Sequence, residues 1–216
     1  MEQINSVIQQ IKSQEMQTIK RSTVSIETFK RVINQVCPDF LITDGNKEIL
    51  NELYRYINNT SKVLDCSKGI WFWGSIGTGK STLMKILAEV QRAADKDRGF
   101  KCVNCSELAT KYAAYGFEAM NQSTFNEGEK SHPVERGFDE VGREPIPAKY
   151  FGNDLNIMQH ILGMRYEIRA TVKTHVTTNV RKESIPILYG DYINDRLYEM
   201  FNFIEIKGES KRCATT

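Results

Sequence analysis

The chain has 216 residues, 40% of them hydrophobic and 26% charged, with a formal net charge of +2. That composition suits a globular protein with one sizeable core, and the charge is too small to indicate nucleic acid by itself, so any basic surface must be local. No apolar run approaches the roughly 18 residues of a membrane span and the polar N-terminus lacks a signal-peptide core, so a cytoplasmic protein without a membrane partner is expected.

Ile4, Val7, Ile8 and Ile11 form one apolar stripe at helical spacing, and Ile26, Phe29, Val32 and Ile33 a second that Cys37-Pro38 ends. Residues 1–45 therefore read as an N-terminal helical region, either an outer cover for the core or an arm that docks a partner. Residues 46–216 form the main domain. It opens with a helix over Asn46 to Ile57, with Ile49, Leu50, Leu53 and Ile57 inward, followed by a buried strand over Ile70 to Trp73. Five cysteines, at 37, 66, 102, 105 and 213, lack the framework of a small secreted protein, and Cys102-Val103-Asn104-Cys105 has no second pair to complete a zinc site. Free thiols are expected.

The segment Gly74-Ser75-Ile76-Gly77-Thr78-Gly79-Lys80-Ser81 fits the phosphate-loop pattern G-x-x-x-x-G-K-[ST]. Leu83, Ile86, Leu87 and Val90 recur at helical spacing behind it, so the loop joins a strand to a helix N-terminus. Glycines there let successive N–H groups turn toward phosphate oxygens, and the helix dipole favours the anion. Residues Gly74 to Ser81 with Thr82 are thus the expected ATP cradle. Lys80 would reach the β- and γ-phosphates and Ser81 would coordinate Mg²⁺.

A second strand is expected over Phe100 to Asn104, with Cys102 and Val103 on opposite faces, and a helix over Ser106 to Phe117. Tyr112 and Tyr115 have the spacing of a core stripe, while Lys111 suits contact with a nucleic-acid phosphate. The polar stretch from Asn121 to Glu135 reads as a long exposed loop. Gly137-Phe138-Asp139-Glu140 then places two carboxylates at a strand end. Asp139 would hold Mg²⁺ and Glu140 would polarise the attacking water, provided the strand bends after Phe138 so that both face the nucleotide. A helix beginning at Asp154, a strand over His175 to Thr178, a helix over Tyr189 to Phe201 and a strand over Phe203 to Ile206 complete the domain. Asn179, at the end of Thr177-Thr178-Asn179, is placed to sense the γ-phosphate, and Arg196 and Arg212 carry guanidinium groups able to neutralise charge on a transferring phosphoryl group.

The succession Gly74 to Ser81, Asp139-Glu140-Val141-Gly142, Tyr150-Phe151-Gly152-Asn153, Arg165-Tyr166, His175-Val176-Thr177-Thr178-Asn179, Tyr189-Gly190-Asp191, Asp195-Arg196-Leu197 and Gly208 to Arg212 resembles the DnaC/IstB-like branch of AAA+ ATPases over about residues 65–212. The resemblance implies an α/β, three-layer P-loop NTPase fold of the AAA+ ASCE type, with a central parallel sheet and an N-terminal helical extension. It matches Asn179 to the sensor 1 residue, Arg196 to the arginine finger offered to a neighbouring subunit, and Arg212 to the sensor 2 arginine. It further implies ATP and Mg²⁺ as ligands, a homo-oligomer formed on ATP binding, single-stranded DNA contact, and a replicative helicase or a transposase as partner. Many members carry Asp-Asp where this chain has Asp139-Glu140. Helicase loading is the leading expectation. A transposase helper, a nucleoside or small-molecule kinase and a noncatalytic ATP-dependent adaptor are the alternatives, although no lid-like loop of clustered arginines supports a kinase.

Overall fold

Alternation along β1 (Gly69–Trp73) divides the core. In the computed structural model, which describes residues 23–96, 99–124, 133–208 and 210, Ile70 and Phe72 point into one hydrophobic cluster and Trp71 into another. The first N-terminal stripe, Ile4 to Ile11, and Arg212 lie outside the described residues. A strand whose successive side chains enter opposite layers must be covered on both faces, which is why β1 is apolar throughout.

Five parallel strands form the sheet, in the order β2 (Lys101–Asn104), β3 (Arg136–Val141), β6 (Thr174–Thr178), β1, β7 (Phe201–Glu205). One layer holds α1 (Ile26–Val36), α2 (Asp44–Ile57) and α3 (Lys80–Ala94), whose buried Phe29, Val32, Leu53, Met84, Ile86 and Leu87 pack with Ile70 and Phe72. The second N-terminal stripe therefore serves as cover. The opposite layer contains α4 (Cys105–Tyr115), α6 (Ile157–Glu167), α7 (Ile185–Tyr189) and α8 (Asp191–Met200), packed on Trp71, Phe138, Val176 and Phe201. Burying one such aromatic side chain contributes about 2–3 kcal/mol, so β1 alone anchors both layers firmly.

Several expectations change. The helix from Ser106 does not run smoothly to Phe117, because Gly116 at φ 63 breaks it and α5 (Phe117–Thr124) continues from there, taking the start of the expected Asn121–Glu135 loop into a helix; residues 125–132 lie outside the described ones. Tyr112 is buried, whereas Tyr115 is 69% exposed, so only the first belongs to the core. Asp154 and Leu155 belong to an antiparallel hairpin, β4 (Ala148–Tyr150) with β5 (Asn153–Leu155), and the Asn156 side chain caps α6 by accepting from the Gln159 N–H. The expected helix over Tyr189 to Phe201 begins instead at Asp191 as α8, because Gly190, at φ 82, separates it from α7, a short helix not expected from the sequence.

Buried polar groups fasten the sheet. Arg165 donates to the carbonyls of Thr124 (3.0 Å), Val134 (2.8 Å) and Lys173 (2.6 Å) and to the Thr174 hydroxyl (2.7 Å). Burial lowers its pKa to about 10, which leaves it charged at neutral pH. His175 on β6 accepts from the Ile70 N–H at Nδ1 (3.1 Å), which fixes its proton on Nε2, and that nitrogen donates to Glu135 (2.8 Å).

Burial lowers the His175 pKa below its ordinary 6.5. For Glu135 burial acts upward, but the His175 hydrogen bond and charge leave it below its ordinary 4.5. The unfolded chain therefore takes up a proton on His175 near pH 6.5 that the folded chain refuses, and one on Glu135 near pH 4.5. Both effects have one sign. The thermal unfolding midpoint is expected to fall as pH drops from 6.5 toward 4.5, and His175→Gln is expected to flatten the upper part of that fall; an unchanged profile in the variant would remove His175 as its source.

Candidate nucleotide site

The turn between β1 and α3 is built to receive an anion. Gly79, at φ 95, is the N-cap of α3 and has no side chain with which to cap it. A side chain on Gly77, at φ 81, would also place its Cβ 2.1 Å from the Ser210 hydroxyl oxygen. A residue with a Cβ is excluded at Gly77 by sterics and disfavoured at Gly79 by conformation. Lys80 is buried at the start of α3 and donates to the carbonyls of Gly74 (2.9 Å) and Ser75 (2.5 Å), and the Thr78 hydroxyl donates to the Ser75 carbonyl (3.0 Å). An uncapped helix N-terminus beside a buried ammonium is the combination that favours phosphate.

A cavity of about 540 Å³ opens from this turn. Its polar end is lined by Gly77, Gly79, Lys80, Ser81, Thr82, Glu140 and Asn179, so residues distant in sequence converge there. Its other end is formed by Ile76 and by Cys37, Asp39, Phe40, Leu41 and Thr43 from the linker between α1 and α2. Leu41 is 75% exposed and Ile76 66% exposed. An apolar rim beside a phosphate cradle suits a planar base. The linker is hard to find from sequence because it falls between two periodic segments; the run Phe40-Leu41-Ile42 is the available signal.

The carboxylates are arranged by a bulge. Phe138 pairs with Val176 and Val141 with Thr178, so Asp139 and Glu140 together oppose Thr177 alone, and Glu140 takes φ 62. This is a bend after Phe138 of the expected kind, and of the two carboxylates it brings Glu140 to the cavity lining. The Thr177 hydroxyl donates to Asp139 and accepts from the Glu140 N–H (3.0 Å). Glu140 lines the cavity; its carboxylate accepts from Asn104 Nδ2 (3.2 Å) and from Arg143 (3.1 Å). Asn104 also caps α4 through its side-chain oxygen. Asp139 is not among the cavity-lining residues, although its backbone neighbour is. Arg196 lies on α8, away from the lining. Neither Asn104 nor the Thr177 hydroxyl is legible in the sequence as a site group, because a strand-end Asn and an in-strand Thr look alike in many proteins.

Thr177→Val would leave both the Glu140 N–H and an Asp139 lone pair without their hydroxyl partner. It is expected to cost about 1–3 kcal/mol of unfolding free energy in urea titration, with Thr177→Ser close to the native value. Equal stability of Val and native chains would show that the bulge holds without the hydroxyl.

Neither protein-family models nor curated protein sequences give a match to this chain. Solved structures do. The chain is similar to a DnaC helicase loader, with 18% identity and a TM-score of 0.59 over 82% of this chain and 99% of the other. It is similar to DnaI at 18% identity and a TM-score of 0.57, over 85% of this chain and 93% of that one. AMPPCP-bound DnaA from Aquifex aeolicus follows at 16% identity and a TM-score of 0.52, over 81% of this chain and 50% of the DnaA chain. These likenesses concern the fold and agree with the resemblance to the DnaC/IstB-like branch: the chain has the AAA+ P-loop NTPase fold.

Proposed function

We propose that the chain binds ATP with Mg²⁺, hydrolyses it, and uses nucleotide-driven assembly in a DNA-replication step of the helicase-loading kind. The observation that carries this reading is the convergence of Lys80, Ser81, Glu140 and Asn179 on one cavity at the uncapped N-terminus of α3. The donor set fits a hard cation, since Ser81 offers a hydroxyl and Asp139 a carboxylate. When bound, Mg²⁺ supplies neutralisation of charge on the β- and γ-phosphate oxygens.

Glu140 is the group placed to orient a water and accept its proton while the water oxygen bonds to the γ-phosphorus. The bond between that phosphorus and the β–γ bridging oxygen breaks, and ADP and inorganic phosphate result. Asn179 lies on the same cavity, where its amide can report the γ-phosphate. Arg196 lies outside the cavity lining, which suits a cation offered to the site of a second copy. Arg212 belongs to the same proposal as the sensor 2 arginine. Because Glu140 is bonded to Asn104 and Arg143, basal turnover is slow until that hold is released.

Single-stranded DNA is the proposed polymer ligand. A run of ring contacts joins Phe151 to Tyr150 (4.8 Å), Tyr150 to Tyr112 (5.7 Å) and Tyr112 to Phe117 (6.0 Å), and both end rings, Phe151 and Phe117, are exposed. Exposed Lys111 lies on α4 near them in sequence. Such surfaces take unpaired bases by stacking. The description of one similar DnaA structure names AMPPCP and single-stranded DNA. A replicative helicase is the partner that the loader likeness favours over a transposase. Affinity capture of the full chain in the presence of ATP tests this choice.

Lys80→Ala is expected to abolish ATP binding in a filter assay. Glu140→Gln should keep ATP bound while slowing phosphate release by about 100-fold or more, the range of a lost general base. Asn104→Ser retains a capping oxygen for α4 and loses the Glu140 tether, so its basal turnover should rise by about threefold at unchanged ATP affinity. Native turnover in both Lys80→Ala and Glu140→Gln would sink the hydrolytic assignment.

A further inference from the structure

Arg196 has an aromatic setting. Its guanidinium carbon lies 3.2 Å from the centre of the Tyr192 ring, one turn earlier on α8, and 4.7 Å from that of Tyr166 on α6. Its Nη1 donates to the Tyr192 carbonyl (3.2 Å), and its Nε is buried with no hydrogen-bond partner among the described residues. Tyr166 also carries Arg169 over its ring, at 3.6 Å. The Tyr166 hydroxyl donates to Glu199 (3.0 Å), and Arg169 donates to the same carboxylate oxygen (2.8 Å). The acid nearest in sequence on the following turn of α8 is thus occupied by two other donors.

We propose that Tyr192 and Tyr166 are positioning residues for Arg196, holding its guanidinium on ring faces, without a carboxylate hydrogen bond among the described residues, for delivery to the triphosphate bound by a second copy of this chain. The inference rests on the trans-acting reading of Arg196 given above. A carboxylate partner would satisfy the guanidinium and compete with phosphate, whereas an aromatic face attracts the cation and leaves most of its N–H donors unspent. The ring also restrains a long side chain before it meets its target, so less freedom is lost on engagement. Glu199 is held below the usual carboxylate range by the Tyr166 hydroxyl first, then by Arg169 and last by the charge of Arg196, so its hydrogen bonds go to the first two. Tyr166 therefore acts twice, through its ring on Arg196 and through its hydroxyl on the competing acid.

The test uses the full chain, with steady-state ATP turnover measured against protein concentration and affinity measured with a fluorescent ATP analogue. Tyr192 is 58% exposed, so its replacement leaves the core intact. Tyr192→Leu is expected to lower kcat of the assembled protein about tenfold while KM and analogue affinity stay within about twofold, and Tyr192→Phe is expected to restore turnover. Mixing supplies the second readout. Glu140→Gln subunits, which keep ATP bound and carry a native α8, should support hydrolysis by native neighbours, and Glu140→Gln/Tyr192→Leu subunits should not. Native kcat in Tyr192→Leu, alongside lost turnover in Arg196→Ala, would overturn the positioning role and leave the trans-acting reading standing. Full turnover in Arg196→Ala would overturn both. A Tyr192→Phe chain as slow as Tyr192→Leu would overturn the role of the ring face.

Discussion

One hydroxyl sets the geometry of the site. In a regular strand Asp139 and Glu140 would face opposite sides of the sheet. The extra residue in β3 relieves that alternation, at the cost of a left-handed conformation for Glu140 at φ 62. A non-glycine residue held there costs of order 1–3 kcal/mol and persists only where its surroundings over-determine it. Thr177 does so from the neighbouring strand, bonding the Asp139 carboxylate and the Glu140 N–H with one oxygen. Position and charge in the site therefore depend on the pairing of β3 with β6, and β6 is fixed in turn by the contacts of His175 with Ile70 and Glu135.

Much of this fold is legible in the sequence because its strongest signals are local. β1 and α3 flank a loop whose spacing of glycines and lysine is specific to a phosphate cradle, and the apolar periods on either side are unbroken. β3 is weaker in the sequence, since Glu135, Arg136 and Gly137 precede Phe138, and a strand of that composition is made by pairing on both sides more than by its own propensity. The breaks at Gly116 and Gly190 are hidden for a related reason. Apolar spacing continues across each of them, and only the positive φ of the glycine turns one helix into two. The hairpin at Phe151-Gly152 lacks the Asn-Gly or Asp-Gly turn that announces such structures, and its strands have three residues each.

Site residues divide along the same line. Lys80, Ser81, Glu140 and Asn179 are readable from type and order, and the structure brings them to one cavity. Asn104 and the Thr177 hydroxyl are not, because each reaches Asp139 or Glu140 from another strand, through a distance in space that no spacing encodes. The aromatic setting of Arg196 is intermediate. Tyr192 sits one helical turn before it and Glu199 on the turn after, so both can be read from the chain, but Tyr166 enters only once α6 packs on α8.

The apolar end of the cavity ties the nucleotide site to the N-terminal helices. The linker that carries Phe40 and Leu41 is held at one end by α1 and at the other by α2, and both helices share a core with α3. α3 in turn begins at Lys80, so the two ends of the cavity are parts of one packed layer. Interiors packed at this density move as units more readily than they deform locally. A ligand that draws the linker toward Ile76 therefore loads α1 and α2 directly. Glu140 on the β3 bulge and Leu41 on the linker line the same cavity, so a molecule seated there would touch both the sheet and the helices that cover it.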